Sequence, residues 1–543
     1  MINHMRSYSV MLRYSMLLFA AFLLCNCAGN SWQFKDTAPV WRIDDQKPIP
    51  LPGSTRYIRM DYYFEVLIRR PAGTNFSTAP IEQAQDVNSY DHIPQSSWYT
   101  PRLGYRTVSP EELSQGPELI GPPQLPVRVV RAKHLGSNPG FIIADNRDRL
   151  YLVKFDPPDF PGIETTTAQI VNRLFWGFGY NVPEDYLFKF TSADMSVDST
   201  AHISQEDVLL VFNTVAPPVN GIYRATASLL IDGVYLGPIA DSGVRKDDPN
   251  DRIPHENRRI LRGLRVFGAF TNQTDIRIDN SLDVYEGLVG EGFVKHYLLD
   301  FGEAFGGHGA GHERLWDGYE HIFSFKQMIE NLATLGLKKE PWESLEFTPW
   351  TSVGAFEAEV FDPGKWKETY PFKPIQNALA DDNYWAAKIV ASLTPAHFQM
   401  LVDSADYPEE GAADYIVDTL NKRQKKVVEY FYNQVSPLEF YSRDADVLTL
   451  EDRGIADIPG VNSGSYQIRF FDKENNEVLE SIEVVNREKF VDITLPLTNV
   501  VISDGYLRLD VRVIRNGSLA PRPAQIHLRA QADGDYRVVG VVH

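Results

Sequence analysis

Cysteine is nearly absent. Of 543 residues only Cys25 and Cys27 are cysteines, and both fall within the first 30 positions. They cannot build a disulfide framework or a zinc site, and no thiol nucleophile exists beyond position 27. Positive charge is also scarce, with 53 Lys+Arg against 72 Asp+Glu and a net charge of −19. A broad nucleic-acid surface needs clustered cations to displace counterions from phosphates, so nucleic acid is not expected as a partner. Any polyanionic ligand must be held by local cations or a metal, because the overall field repels it. No apolar stretch approaches the ~20 residues that span a bilayer. There is no Gly-x-Ser-x-Gly elbow, no Gly-x-Gly-x-x-Gly loop and no internal repeat. What is present is 43% hydrophobic and 12% aromatic residues. Such a chain can bury a sizeable core, and its length predicts two to four domains.

The N-terminus has the pattern of an export signal. Arg6 and Arg13 precede an apolar run from Tyr14 to Leu24, which has the length of a signal-peptide core. Leu24-Cys25-Asn26-Cys27-Ala28-Gly29 comes next and resembles the lipobox of bacterial lipoproteins, with Leu24 three positions before Cys27. The resemblance implies cleavage before Cys27 and lipidation of its thiol. The chain would then sit in the bacterial cell envelope, on the membrane by acyl chains only. Ala28 fits outer-membrane sorting.

Residues 28–125 are rich in Pro, Tyr and Trp and lack periodicity, which predicts an irregular tether draped over the next domain. From Val127 the texture changes to short alternating strands: 127–131, 141–144 and 150–155. A helix is predicted over about 165–177, ended by Gly179 and Pro183. Further strands are predicted near 186–190 and 207–212, and a hairpin over 226–237 turning at Asp232-Gly233. A helix over 256–270 carries Arg258, Arg259, Arg262 and Arg265. Helical patterns dominate at 323–335, 382–392, 395–403 and 412–433. The last hundred residues switch to period two, with strands at 465–471, 477–484, 489–495, 506–515, 524–530 and 537–542. That spacing predicts a small β-sandwich. The expected domains are a leader (1–27), a tether (28–125), an α+β domain with helical extension (126–440) and a sandwich (441–543).

Four features of the α+β region carry residue types suited to phosphoryl transfer. Lys154 lies in the strand Tyr151-Leu152-Val153-Lys154-Phe155, and Glu164 precedes the next helix. Asp275 and Asn280 are separated by four residues, and an apolar strand leads into Asp300-Phe301-Gly302. Such chemistry needs a cation on the phosphates, a carboxylate facing the attacking hydroxyl, and an amide oxygen with another carboxylate for magnesium. In this order the features resemble the protein-kinase-like superfamily, most closely its atypical branches, the HipA-like and spore-coat-type secretory kinases. The resemblance covers roughly residues 127–330. It implies a bilobal kinase-like domain with a helical C-lobe, using ATP and Mg²⁺. Lys154 would pair the phosphates with Glu164 as its orienter, Asp275 would be the base, and Asn280 and Asp300 would hold metal.

The sequence departs from that pattern in several places. The candidate phosphate loop, His134 to Gly140, has two glycines, and Gln273-Thr274 stand where His-Arg usually precede the aspartate. Glu164 comes only ten residues after Lys154. Four functions therefore stay open: phosphoryl transfer to a hydroxyl acceptor, nucleotidyl transfer by the same site, an inactive scaffold whose sandwich docks a protein or glycan, or a purely structural envelope lipoprotein. Other candidates are loops. Asp247 to Asp251 with His255-Glu256 matches neither a calcium loop nor a metalloprotease helix. His308 and His312 lie in a Gly-rich stretch, and Asp279 and Asp283 flank Asn280. The Arg-rich helix either pairs with nearby acids or reaches phosphates.

Overall fold

The structure is a computed structural model describing residues 33–70, 80–133, 138–334, 337, 339–495, 505–531 and 535–543. The expected leader with Cys25 and Cys27, and His134 to Ser137 of the candidate phosphate loop, lie outside the described residues. The fold is mixed α+β. It begins with a strap (33–125) containing the helix α1 (Arg59–Phe64), which continues as a wider π turn over Glu65–Arg69.

The upper lobe is an antiparallel meander of β1 (Val127–Ala132), β2 (Gly140–Ala144) and β3 (Leu150–Lys154). Asp145 holds the β2–β3 turn, its Oδ1 accepting from the backbone N–H of Arg147 at 2.8 Å and of Arg149 at 3.0 Å. Asp156 then caps α2 (Ile163–Gly177), its Oδ1 accepting from the Glu164 and Thr165 N–H groups, both at 2.9 Å. Gly179, at φ +109°, ends the turn after α2 where a Cβ would lie 2.0 Å from the Tyr99 ring. Next come β4 (Asp185–Thr191), β5 (Met195–Val197), α3 (Gln205–Phe212) and β6 (Ile222–Leu229). The sheet order is β4-β6-β3-β2-β1-β5, with α2 inserted between the third and fourth strands in sequence.

Two local expectations are corrected here. Residues 207–212 are helical, not a strand: Ser204 and Asp207 form a reciprocal capping box that fixes the N-terminus. The hairpin over 226–237 does not form. Gly233 does turn the chain, at φ +131°, but β6 stays in the upper sheet. The next strand, β7 (Val234–Gly237), joins another sheet. Residues 230–233 are therefore a crossing between lobes.

In the lower lobe the Arg-rich segment is a single turn, Arg259–Arg262, then α4 (Leu264–Thr271). The break falls at Gly263, where a Cβ would lie 2.5 Å from the Trp385 ring. A hairpin of β8 (Ser281–Glu286) and β9 (Phe293–Leu298) pairs with β7, and β8 is the middle strand. The helices α5 (Ala380–Ala391), α6 (Pro395–Ala405) and α7 (Ala412–Tyr432) complete the lobe. Its core joins Phe175 of α2 and Phe178 just after it to Phe267, Trp385, Leu401 and Leu420. Nearly all of α2 is buried, so it is the floor of one lobe and the roof of the other.

The arginines are structural. Arg259, 1% exposed, donates to Asp381 Oδ2 at 2.8 Å and Asp382 Oδ1 at 3.0 Å, and also pairs with Asp91 of the strap. Arg262 donates to Asp382 Oδ2 at 3.1 Å.

The C-terminal part is two sheets over one core. One holds β10 (Leu438–Asp444), β11 (Val447–Asp452) and β14 (Phe490–Thr494). The other holds β12 (Gly464–Phe471), β13 (Glu477–Asn486), β15 (Tyr506–Arg515), β16 (Ala524–Ala530) and β17 (Tyr536–Val542), in the order β13-β12-β15-β16-β17. Leu450 and Ile493 of the first pack with Ile468, Leu509 and Ile526 of the second. The strap crosses everything. Phe34 rests on Gly540 and His527 of the sandwich, Ile43 N–H donates to the Gln95 carbonyl at 2.8 Å, and Ile49 packs against Leu236 and Val294.

Candidate active site

Strand alternation decides which residues of β3 reach the cleft. Tyr151 and Val153 are fully buried in the upper core, so Leu152 and Lys154 face the other way. Register adds their neighbours: Lys154 opposes Thr226 of β6, and Leu152 opposes Ser228, which in turn opposes Asp185 of β4. From the lower lobe, Asp300 comes after β9 in a left-handed conformation, φ +62°. Its Oδ1 accepts from Lys154 Nζ at 2.6 Å, and its carbonyl from Gln273 Nε2 at 3.1 Å. Phe301 is buried against Phe175 of α2, with ring centroids 4.9 Å apart.

The segment after α4 closes on itself. Asn280 Nδ2 donates to the Asp275 Oδ2 at 2.6 Å and to its carbonyl at 2.8 Å. Arg277 holds Asp275 Oδ2 at 3.1 Å through Nη2 and Asp279 Oδ1 at 2.8 Å through Nε. Thr274 Oγ1 donates to the buried Glu313. The structure thus brings Lys154, Asp275, Asn280 and Asp300 to one cleft. Glu164 lines it too, but the carboxylate that pairs with Lys154 is Asp300; Glu164 accepts from Asn138 and lies 3.1 Å from where a Gly302 Cβ would be.

Acids outnumber their partners here. Burial, then the charge of Glu303, pushes Asp275 up to about 8, although Arg277 and Asn280 pull the other way. Burial, then Glu303 again, pushes Glu164 up to about 8. Glu303 itself is raised by burial and by Asp300. Burial works to raise Asp300 as well, but the Lys154 ammonium outweighs it and holds that carboxyl below its usual range. Buried oxygens without a partner include Glu164 Oε1 and Glu313 Oε2.

Two cavities meet at these groups. One, of about 690 Å³, is walled by Leu152, Ala168, Leu230, Ile231, Leu282 and Leu299 and ends on Lys154, Asn280 and Asp300. The other, of about 260 Å³, is lined by Asp275, Glu303, Glu313, His308, Tyr63 and Tyr370. Lys133, Lys154, Glu164, Arg277 and Asp300 line both.

Several of these residues escape sequence reasoning. Glu303 directly succeeds Gly302 and Arg277 lies inside the Asp275–Asn280 spacing, so position alone offered a signal for both. Lys133 and Tyr63 have none, because only tertiary structure brings them in. The other candidates divide, with Asp279 and His308 bordering the cavities and the rest elsewhere. Asp251 takes His255 Nε2 and Arg258 Nη2, each at 2.7 Å, and Asp283 takes His296 Nδ1 at 2.7 Å. His312 is stacked on Phe347, whereas His308 borders the smaller cavity. Asp279 pairs with Arg277 and Arg59.

No protein-family model and no curated protein matches the chain. Among solved structures the chain is similar to the Helicobacter pylori proinflammatory kinase CtkA, at 12% identity over 54% of this chain and 92% of that one, with a TM-score of 0.29. It is also similar to the Golgi casein kinase with Mn/ADP bound, at 9% identity over 57% of this chain and 72% of that one, TM-score 0.28. A second structure of the Golgi casein kinase matches at 9% identity over 57% and 71%, TM-score 0.28.

Proposed function

We propose that the cleft transfers a phosphoryl group from a nucleoside triphosphate to a hydroxyl acceptor. The observation that carries this reading is the 2.6 Å ion pair between Lys154 on the third strand and Asp300, set beside the Asp275–Asn280 segment. Phosphoryl transfer asks for little covalent work from a protein; it asks for positioning and charge stabilisation. The larger cavity would take the nucleoside between its aliphatic walls, with the phosphates toward Lys154. Lys154 and Arg277 would neutralise charge on the phosphates, and Lys133 is a third cation at the same junction. Asp275 would accept the acceptor's proton.

The donor set fits a magnesium ion held jointly with substrate. Among the described residues no three His, Cys, Asp or Glu side chains form a cage of their own. Magnesium is usually bound by one or two carboxylates plus substrate phosphates. Asp300 and the Asn280 amide oxygen would hold it. When bound it would neutralise charge developing on the transferred group. The surplus of acids, with Glu164, Asp275 and Glu303 all raised, is what a cation would relieve.

The deciding experiment incubates the full chain with Mg²⁺ and ATP labelled at the γ or the α phosphate, beside Asp275→Ala and Asp300→Ala. γ-Label lost in both variants supports the reading; α-label lost in both replaces it with nucleotidyl transfer. No label and no thermal shift at millimolar nucleotide would make the chain a scaffold. We also propose attachment to the bacterial cell envelope through a lipid on Cys27, resting on Leu24 to Gly29 alone. Palmitate labelling lost in Cys27→Ser but kept in Cys25→Ser tests it.

A further inference from the structure

The smaller cavity already contains hydroxyls of the chain itself. Three consecutive aromatics, Tyr62, Tyr63 and Phe64, are presented by α1 to different surroundings. Tyr62 is buried and lines a separate cavity, and Phe64 is 61% exposed. Tyr63 enters the cavity that holds Asp275. Its ring is stacked on Tyr370, with centroids 4.6 Å apart and planes within 1°. Arg277 Nη1 donates to Tyr63 Oη at 3.4 Å, while Nη2 of the same guanidinium lies 3.1 Å from Asp275 Oδ2. One side chain therefore links this hydroxyl to the base. The seat is anchored by Arg70 Nη2, which donates to Asp241 Oδ1 at 2.7 Å, and by Arg59 against Asp279 at 3.5 Å.

We propose that Tyr63 is an acceptor for this site within the same chain, phosphorylated in cis. The inference rests on the phosphoryl-transfer reading. The Tyr63 Oη–phosphorus bond forms as the bond from the γ-phosphorus to the bridging oxygen breaks. The nucleoside diphosphate leaves with that electron pair, and the phenolic proton passes to Asp275. Before transfer, the guanidinium of Arg277 orients the phenol, and the stack on Tyr370 fixes its ring. After transfer, the phosphate stands beside Arg277, the guanidinium that already donates to Tyr63 Oη, and competes with Asp275 for it.

The test uses the full chain in detergent with Mg²⁺ and γ-labelled ATP, and then phosphopeptide mass spectrometry. The expected result is label on Tyr63 at a rate independent of protein concentration. In Tyr63→Phe, which keeps the ring stack, label falls by at least about tenfold. Label on other hydroxyls with none on Tyr63 overturns the inference and leaves the phosphoryl-transfer reading standing. No label anywhere, with no nucleotide-induced thermal shift, overturns both.

Discussion

Two clusters of buried charge lie in the same lobe and are built on opposite terms. Around Arg259 and Arg262 every guanidinium is paired: Asp91, Asp381 and Asp382 converge on two arginines that are at most 1% exposed. Around Asp300 the pairing is incomplete. Glu164 and Glu313 keep buried oxygens without a partner, and three carboxyls are pushed upward. The first cluster satisfies itself and locks the strap to the helices. On the proposed reading the second is completed by the nucleotide and its metal ion, and the partnerless oxygens that the fold leaves in place are the mark of the site.

Breaking the unbalanced cluster should affect chemistry and spare the fold. Asp275→Ala is expected to lower transfer by about 10²–10⁴-fold, the usual worth of a positioned base, with an unfolding midpoint near wild type. Breaking the balanced cluster should do the reverse. Arg259→Leu leaves Asp91, Asp381 and Asp382 short of a partner, and a loss of about 3–5 kcal/mol in urea unfolding is expected. Ligand sharpens the contrast. Mg²⁺ with nucleotide at about 100 times its Kd should stabilise the wild type by about 2.7 kcal/mol, and Asp300→Ala should lose most of that gain.

Acidity tests the cluster at the cleft in another way. Glu164 titrates higher folded than unfolded, so the folded state binds more protons between the two values, near 4.5 and about 8. The stability it contributes is present below pH 4.5 and is lost as pH rises toward 8. Glu164→Gln should flatten that part of the stability–pH curve and leave the variant relatively more stable at pH 8, as thermal melts across pH would show. The smallest effect belongs to an exposed pair in the sandwich. Arg469, bonded to Glu477 at 2.7 Å with both side chains over a third exposed, should cost only about 0–1 kcal/mol when replaced by Ala.

Elements whose signals were local could be read from the sequence. The six C-terminal strands and the first three of the upper sheet are legible from alternation and turn residues. Helix α2 is legible from its periodicity and the glycine beyond its end. The apolar Val208 to Phe212 suits a strand as well as a helix, and only the Ser204–Asp207 capping box decides between them. At Asp232-Gly233 the turn was real, but the partners of its two strands are set by contacts across the whole domain. The site divides the same way. Lys154, Asp275, Asn280 and Asp300 could be singled out because each lies in a short local pattern, and the structure brings them to one cleft. The choice of Asp300 over Glu164 as the Lys154 partner, and the arrival of Lys133 and Tyr63, depend on how distant segments pack.

The strap gives the molecule an order of mechanical failure. A pull applied at its N-terminal end loads Phe34 and Asp36 on the sandwich before it reaches Ile43, then Asp45 on Ser97, then Ile49 beneath the lower sheet. Only when these fasteners have opened one by one does tension arrive at α1 and the mouth of the cleft. Each is modest and they are loaded in series as a zipper is, so the peak force is set by the strongest single tooth and not by their sum. A jolt delivered at residue 33 is therefore absorbed before it can disturb the seat of Tyr63.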